Sequence, residues 1–236
     1  MTLVKHFGRN PLGRDYAVGD IHGCTTKLKT ALGAIGFDVE RDRLFAVGDL
    51  VDRGHENDEA IELLDEPWFH SVLGNHEQMA ILFARGELPA GFYVQCGGGW
   101  NVANPQARRM EIADAFSALP LAIEVETAHG PIGIVHADYP LGRWQDIHER
   151  LAGANRESLE RTMLWSRDRF DLENRDEVEG VRAVIVGHTP LVRYSSLGNT
   201  IYIDTGAWIA RENRQFTILD LETLRPVHQP SPGLWT

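Results

Sequence analysis

A mixed α/β fold is predicted by three observations. Apolar runs of strand length alternate with helical periodicity through the first half of the chain. The second half changes to strands with little helix between them. Several of the runs end in glycine followed by a polar cluster. Alternating strands and helices require parallel pairing with crossover helices, whereas closely spaced strands pair antiparallel or in mixed order. With 236 residues the chain suits one large domain or two small ones, and one domain over 1–236 is expected.

The elements follow in order. "DYAVGD" is a short apolar run ending in a turn. "TTKLKTALGAIG" places Leu28, Leu32 and Ile35 on one helical face, with Gly36 as the stop. "RLFAVGDL" is the second strand. "NDEAIELLD" is the second helix, with Asn57 as N-cap and acids in its first turn. "HSVLGN" is the third strand, and "EQMAILFAR" a third helix closed by Gly86. Further on, "QARRMEIADAFSAL" is a helix ended by Pro120, and "LAIEVETAHGPIGIVHA" a hairpin turning at His129-Gly130. "VRAVIVGH", "TIYIDTG" and "RQFTILDL" are additional strands. Residues 139–180 are polar and rich in arginine, with a helix at "RESLERTMLW"; they read as a surface excursion within the domain.

Composition narrows the function classes. Hydrophobic residues make up 43% and charged residues 24%, an ordinary globular balance. A net charge of -11 argues against a general nucleic-acid binder and against attraction to an anionic membrane. An anionic substrate would need a local positive centre. Cys24 and Cys96 do not make a disulfide framework. The N-terminal segment has no signal-peptide run, and no stretch approaches the roughly 20 apolar residues of a membrane span. A cytoplasmic setting is therefore expected.

The chemistry sits at the strand ends. "AVGDIHG" (17–23), "AVGDLVDRG" (46–54), "VLGNHE" (72–77) and "VIVGHTP" (184–190) share one form, and "GIVHADY" ends in His136 without the glycine. Loops at the carboxyl ends of parallel strands converge on one crevice. The residues expected to meet are Asp20, His22, Asp49, Asn75, His136 and His188. Oxygen and imidazole donors without thiolate suit Mn, Fe, Zn or similar divalent ions. Six ligands are too many for one open ion and suit two ions sharing a carboxylate. Such a pair, about 3.5–4 Å apart, clamps phosphoryl oxygens and lowers the pKa of a bridging water. Taken singly, each cluster is ordinarily a turn or a hydrogen-bonded strand end. Five polar clusters in order, each ending an apolar run, have no common explanation of that kind.

"GDIHG", "GDLVDRG", "GNHE" and "GHTP" together resemble the signature of the phosphoprotein phosphatase family of metallophosphoesterases. "GNHEQM", "CGGGW", "HADYP" and "IDTGA" are similar to its bacteriophage lambda branch. The resemblance runs from about Asp15 to Ala207 and is loose between Leu141 and Val181. It implies two mixed sheets packed as a sandwich, flanked by helices. It implies Asp20, His22 and a bridging Asp49 on one metal, and Asp49, Asn75, His136 and His188 on the other. Members of this type are commonly activated by manganese. His76, next to Asn75, is the expected proton donor, with Asp52 as its carboxylate partner. Arg53 offers a planar fork for phosphate oxygens, and Arg167 in "WSRDR" is the candidate second clamp, with Arg169 its competitor.

Other features carry less. "CGGGW" lacks the features of a phosphate-binding loop and reads as a tight turn near the site mouth. His55, His70 and His148 read as surface residues. Asp204 in "IDTGA" is expected either to bond His136 or His188 or to make a strand-end turn.

The expected activity is hydrolysis of phosphoserine or phosphothreonine in phosphorylated proteins and peptides, in one in-line step by hydroxide held at the metal pair. A dinucleoside polyphosphate hydrolase is the alternative, built on similar motifs. An inactive phospho-binding module would lack ligands, and none is missing. A cysteine-dependent phosphatase is disfavoured, because Thr30 and Val102 stand where a Cys-x5-Arg loop needs arginine.

Overall fold

Strands that are apolar on every residue need cover on both faces. The computed structural model, which describes residues 3–211 and 214–229, meets that need with two mixed sheets packed together and helices outside. The strands are β1 (Val4–Phe7), β2 (Asp15–Val18), β3 (Arg43–Ala46), β4 (Phe69–Ser71), β5 (Ala122–Val125) and β6 (Ile132–Val135). They continue with β7 (Ala183–Val186), β8 (Ser195–Leu197), β9 (Thr200–Tyr202), β10 (Ile218–Asp220) and β11 (Arg225–His228). The helices are α1 (Thr25–Ala34), α2 (Asn57–Glu62), α3 (Asn75–Ala84), α4 (Ala90–Gln95) and α5 (Gly99–Val102). After them come α6 (Gln106–Ser117), α7 (Ile147–Ala152), α8 (Arg156–Trp165) and α9 (Asp168–Asp171).

One sheet has the order β11-β10-β2-β3-β4, and the other β1-β5-β6-β7-β9-β8. β2, β3 and β4 are parallel, as the strand-helix alternation requires. β5 and β6 form the expected antiparallel hairpin, and β6, β7 and β9 run parallel. Side chains alternate between layers with the strand period of two. Ala17, Phe45, Leu219, Ile123, Ile134 and Ile185 fill the space between the sheets. Their neighbours Val18, Leu44, Ala46 and Ile218 pack outward on Leu28 and Leu32 of α1, Met79 of α3 and Phe116 of α6. On the opposite flank Val135, Val184 and Val186 meet Ile147 of α7 and Leu159 and Met163 of α8.

Several local expectations change. Asn57 is not the cap of α2: Glu56 precedes that helix, and no side chain caps it. Its amide instead accepts the N–H of Asp52 at 2.7 Å and donates to the Gly54 carbonyl at 3.0 Å, pinning the "DRG" turn. β1, β8 and β11 add to the strands expected from the sequence. All three lie at sheet edges and carry exposed polar positions, so they lack the apolar signature of central strands.

His70 is half-buried rather than fully on the surface. Its ring lies 4.3 Å from that of Phe7 and 5.2 Å from that of Phe45. Burial, with Lys5 and Arg43 nearby, lowers its pKa to about 4. The unfolded chain protonates this group near its ordinary value of about 6.5, before the folded state does. Stability should therefore fall as pH drops through the window from about 6.5 to about 4. Urea midpoints measured across that window should decline less steeply in His70→Phe than in the parent.

Candidate active site

The carboxyl ends of β2, β3, β6 and β7 and the start of α3 meet at one point. Close approach of backbone makes this possible. Gly48 has φ 94°, and a Cβ there would stand 2.9 Å from His136 Nδ1. A Cβ on Gly187 would stand 2.1 Å from Asp20 Oδ1. The glycines do not absorb all of the turn. Five chemically important residues take left-handed backbone themselves: His22, Asp49, Asp52, Arg53 and His188, with φ between 46° and 71°. Asp and His tolerate that region better than most side chains, so Arg53 is the least comfortable of the five.

Asp49 is the centre. Its Oδ2 lies 3.6 Å from His22 Nε2, and its Oδ1 lies 3.4 Å from His136 Nε2. Asp20 Oδ2 is 3.9 Å from His22 Nε2. Asn75 Oδ1 stands 2.8 Å from His136 Nε2 and 2.9 Å from His188 Nδ1. One oxygen of Asp49 thus faces each set. Backbone carbonyls fix the tautomers. His22 Nδ1–H donates to Val51 O at 2.8 Å, and His136 Nδ1–H to Val47 O at 2.7 Å, which leaves each Nε2 lone pair facing Asp49. His188 is turned the other way, with Nε2 3.2 Å from Trp165 O and Nδ1 inward.

Burial lowers the pKa of His22, and burial together with His136 lowers that of His188 to about 3. Both rings are neutral electron-pair donors. Burial opposes charge on Asp49, yet the surrounding imidazoles of His136, His76, His22 and His188 hold it below the usual carboxylate range. His22 Nε2 is buried without a hydrogen-bond partner among the described residues. An orphaned lone pair facing carboxylates fits a divalent cation, and the donor set has the O/N chemistry such ions take.

His76, His22 and Asp49 also offer ligand atoms within 4.8 Å of one another. The His76 nitrogens have other partners. Nδ1–H donates to Asp52 Oδ2 at 2.7 Å, and Nε2 is 3.1 Å from Arg53 Nη2. Burial depresses the pKa of His76, but Asp49 and Asp52 override it and raise the value. Asp52 is held in turn by Trp100 Nε1–H at 2.7 Å and Tyr93 O–H at 3.2 Å.

The expected site residues Asp20, His22, Asp49, Asp52, Arg53, Asn75, His76, His136 and His188 all come together. Arg53 and Arg167 line one open cleft of about 1070 Å³ with His76 and His188. Arg167 donates to His188 O at 3.3 Å. Arg169 points away: it is buried, with Nε 3.0 Å from Asp138 Oδ1 and Nη1 2.8 Å from Asp176 O. Asp204 bonds neither His136 nor His188. It accepts the Gly206 N–H at 2.8 Å in a strand-end turn and stands beside Asp20, and burial lifts its pKa to about 6. "CGGGW" does turn at the cleft mouth, at Gly97, and then begins α5. His55 and His148 are exposed.

Glu77 is the residue that reading by ligand type overlooks. Its buried carboxylate accepts N–H bonds from Asp49 and Leu50 at 2.8 Å each and from Gly74 at 2.9 Å. It clasps the Asp49 turn to the start of α3. Burial and nearby Asp49 push its pKa up to about 8, against those bonds. Removing it orphans buried donors. Glu77→Ala should cost about 3 kcal/mol or more in urea unfolding, with Glu77→Gln milder because one oxygen remains. Retention of parental stability in Glu77→Ala would rule out the clasp.

The profile of the calcineurin-like phosphoesterase family matches residues 16–202. Serine/threonine-protein phosphatase 1 of Salmonella typhimurium is 38% identical over 200 residues, which are 81% of this chain and 86% of that relative. A symmetrical bis(5'-nucleosyl)-tetraphosphatase of Thioalkalivibrio sulfidiphilus is 47% identical over only 64 residues, 26% of this chain and 24% of that relative. Among solved structures, a candidate diadenosine tetraphosphatase superposes with a TM-score of 0.67 at 20% identity, covering 99% of this chain and 100% of that one. That likeness is one of fold. The sandwich topology, the strand-end motifs and a family match over most of the chain agree, and the chain belongs to the calcineurin-like phosphoesterase family.

Proposed function

We propose that the chain is a metal-dependent phosphomonoesterase that removes phosphate from phosphoserine and phosphothreonine in proteins and peptides. The observation that carries this reading is the gathering of six O and N donor side chains with Asp49 at their centre, beside an imidazole-carboxylate pair and an arginine. Asp20, His22 and Asp49 would hold one divalent ion, and Asp49, Asn75, His136 and His188 a second. We assign manganese, with iron and zinc as the ions to compare. Bound there, such ions supply a water of lowered pKa and positive charge for the phosphoryl oxygens.

The chain's own groups do the rest. Arg53 and Arg167 grip the phosphate oxygens from the cleft side. Once the phosphate takes up the Arg53 Nη2–H groups, His76 Nε2 is free to carry a proton to the leaving oxygen. Asp52 holds that ring in the tautomer that keeps Nε2 on the cleft. Displacement is in line and forms no phosphoenzyme. All of this lies in one catalytic domain, and we place the protein in the cytoplasm without nucleic-acid or membrane partners. No helix among the described residues is long and apolar enough to cross a membrane.

The protein-phosphatase reading draws support from a serine/threonine-protein phosphatase relative matched along most of its length, whereas the nucleotide-hydrolase relative matches over a short stretch. The test is phosphate release by chelator-treated protein resupplied with Mn, Fe, Zn or Mg. Substrates are phosphoserine, phosphothreonine and phosphotyrosine peptides and diadenosine tetraphosphate. Preferred turnover of the dinucleotide would overturn the assignment in favour of the second reading.

Asp49→Ala should deplete both ions, since each set uses one of its oxygens; two ions per chain by metal analysis would refute the bridge. His76→Asn should lower kcat on phosphopeptides by about 10²–10⁴-fold with metal content near the parent value. The loss should shrink on p-nitrophenyl phosphate, whose leaving group needs less protonation. An equal loss on both substrates would assign His76 to binding instead.

A further inference from the structure

Arg53 lies in an unusual setting. Its backbone is left-handed, and its N–H donates to Gly97 O at 3.4 Å. No carboxylate pairs with its guanidinium among the described residues. Two contacts hold that group. His76 Nε2 is at its tip, 3.1 Å away, and the ring of Trp208 lies under it, 4.2 Å from ring centroid to Cζ. The same indole stands edge-on to His22, with ring centroids 5.5 Å apart at 81°.

Trp208 belongs to the loop that follows β9 in the opposite sheet. That loop is tied back, since Lys27 Nζ donates to Ala207 O at 2.8 Å and Gly206 N–H to Asp204 Oδ1 at 2.8 Å. The indole N–H has no partner among the described residues, so the ring face is what Trp208 offers Arg53.

The choice of an aromatic partner has a chemical reason. A carboxylate would order the guanidinium too, but it would occupy the same in-plane N–H groups that phosphate needs and cancel their charge. A ring face attracts the cation from above and leaves the plane free. We propose that Trp208 is a positioning residue that holds the Arg53 guanidinium flat and pre-oriented for two-pronged contact with the substrate phosphate. The proposal rests on the reading of Arg53 as a phosphate clamp.

The experiment compares inorganic-phosphate inhibition and KM for p-nitrophenyl phosphate in metal-loaded Trp208→Phe, Trp208→Leu, Arg53→Ala and the Arg53→Ala/Trp208→Leu double variant. Metal content and thermal midpoint are measured alongside. Trp208→Leu should weaken phosphate inhibition and raise KM by about three- to thirtyfold, with kcat changed less. Trp208→Phe, which keeps a ring and loses the N–H, should stay within about twofold of the parent. The double variant should be no worse than Arg53→Ala alone, because the ring acts only through the arginine.

Additive losses, a silent Trp208→Leu, or a Phe variant as weak as the Leu variant would overturn the role of Trp208 while the clamp stands. Unchanged phosphate inhibition in Arg53→Ala would remove the clamp and this proposal with it. Should Trp208→Leu fail to fold, Trp208→Met is read in its place against the same expectations.

Discussion

Asp49 is a carboxylate that water barely reaches, being 2% exposed, and the site is arranged around that fact. An isolated carboxylate so buried would take up a proton. Here the imidazoles of His136, His76, His22 and His188 surround it and keep its pKa below the usual carboxylate range despite burial. The groups come from both sheets. Asp20, His22 and Asp49 follow β2 and β3, whereas His136 and His188 follow β6 and β7. The cluster exists only when the two sheets are packed in one register, so the apolar layer of Phe45, Ile134, Ile185 and Leu219 is a condition of the chemistry.

The backbone carries part of the cost. A non-glycine residue in a sparsely populated conformation costs about 1–3 kcal/mol, and five such residues lie together here. Burial of one large apolar side chain contributes a comparable amount, about 1.5–3 kcal/mol. A sheet that is apolar on both faces supplies many of these. Glu77 adds a local restraint by gathering the N–H groups that the Asp49 turn would otherwise leave unpaired. Strain is thus concentrated at the functional turn, and the stability that tolerates it is spread through the layers.

The central strands and their helices were legible because periodicity reports burial directly. Leu28 and Leu32 face the sheet as their spacing requires, and the hairpin turns near Gly130. Edge strands were not legible, because "VKHF", "SSL" and "RPVH" bury too few side chains to leave a pattern. In the site, polar residues directly after strand-end glycines were visible from spacing alone. What escaped works through the backbone or across long sequence distance. Glu77 addresses N–H groups, and Trp100 and Trp208 reach the "VDRG" turn from far along the chain. The choice between Arg167 and Arg169 turned on Asp138, whose carboxylate takes Arg169 into the interior. A carboxylate two residues past His136 was the available hint.

The connection between β6 and β7 joins two parallel neighbours, and each strand delivers one imidazole to the centre. Between those fixed ends the chain builds one bank of the cleft from Ser158, Arg161, Thr162, Trp165 and Arg167. Strand-end anchorage and cleft lining are therefore assigned to different stretches of one crossover. Changes along 139–180 that spare Trp165 and Arg167, which bond His188, can recast what approaches the centre while His136 and His188 keep their strand ends. A fold organised in this way can diversify by rewriting one bank, with the donors at the strand ends left in place.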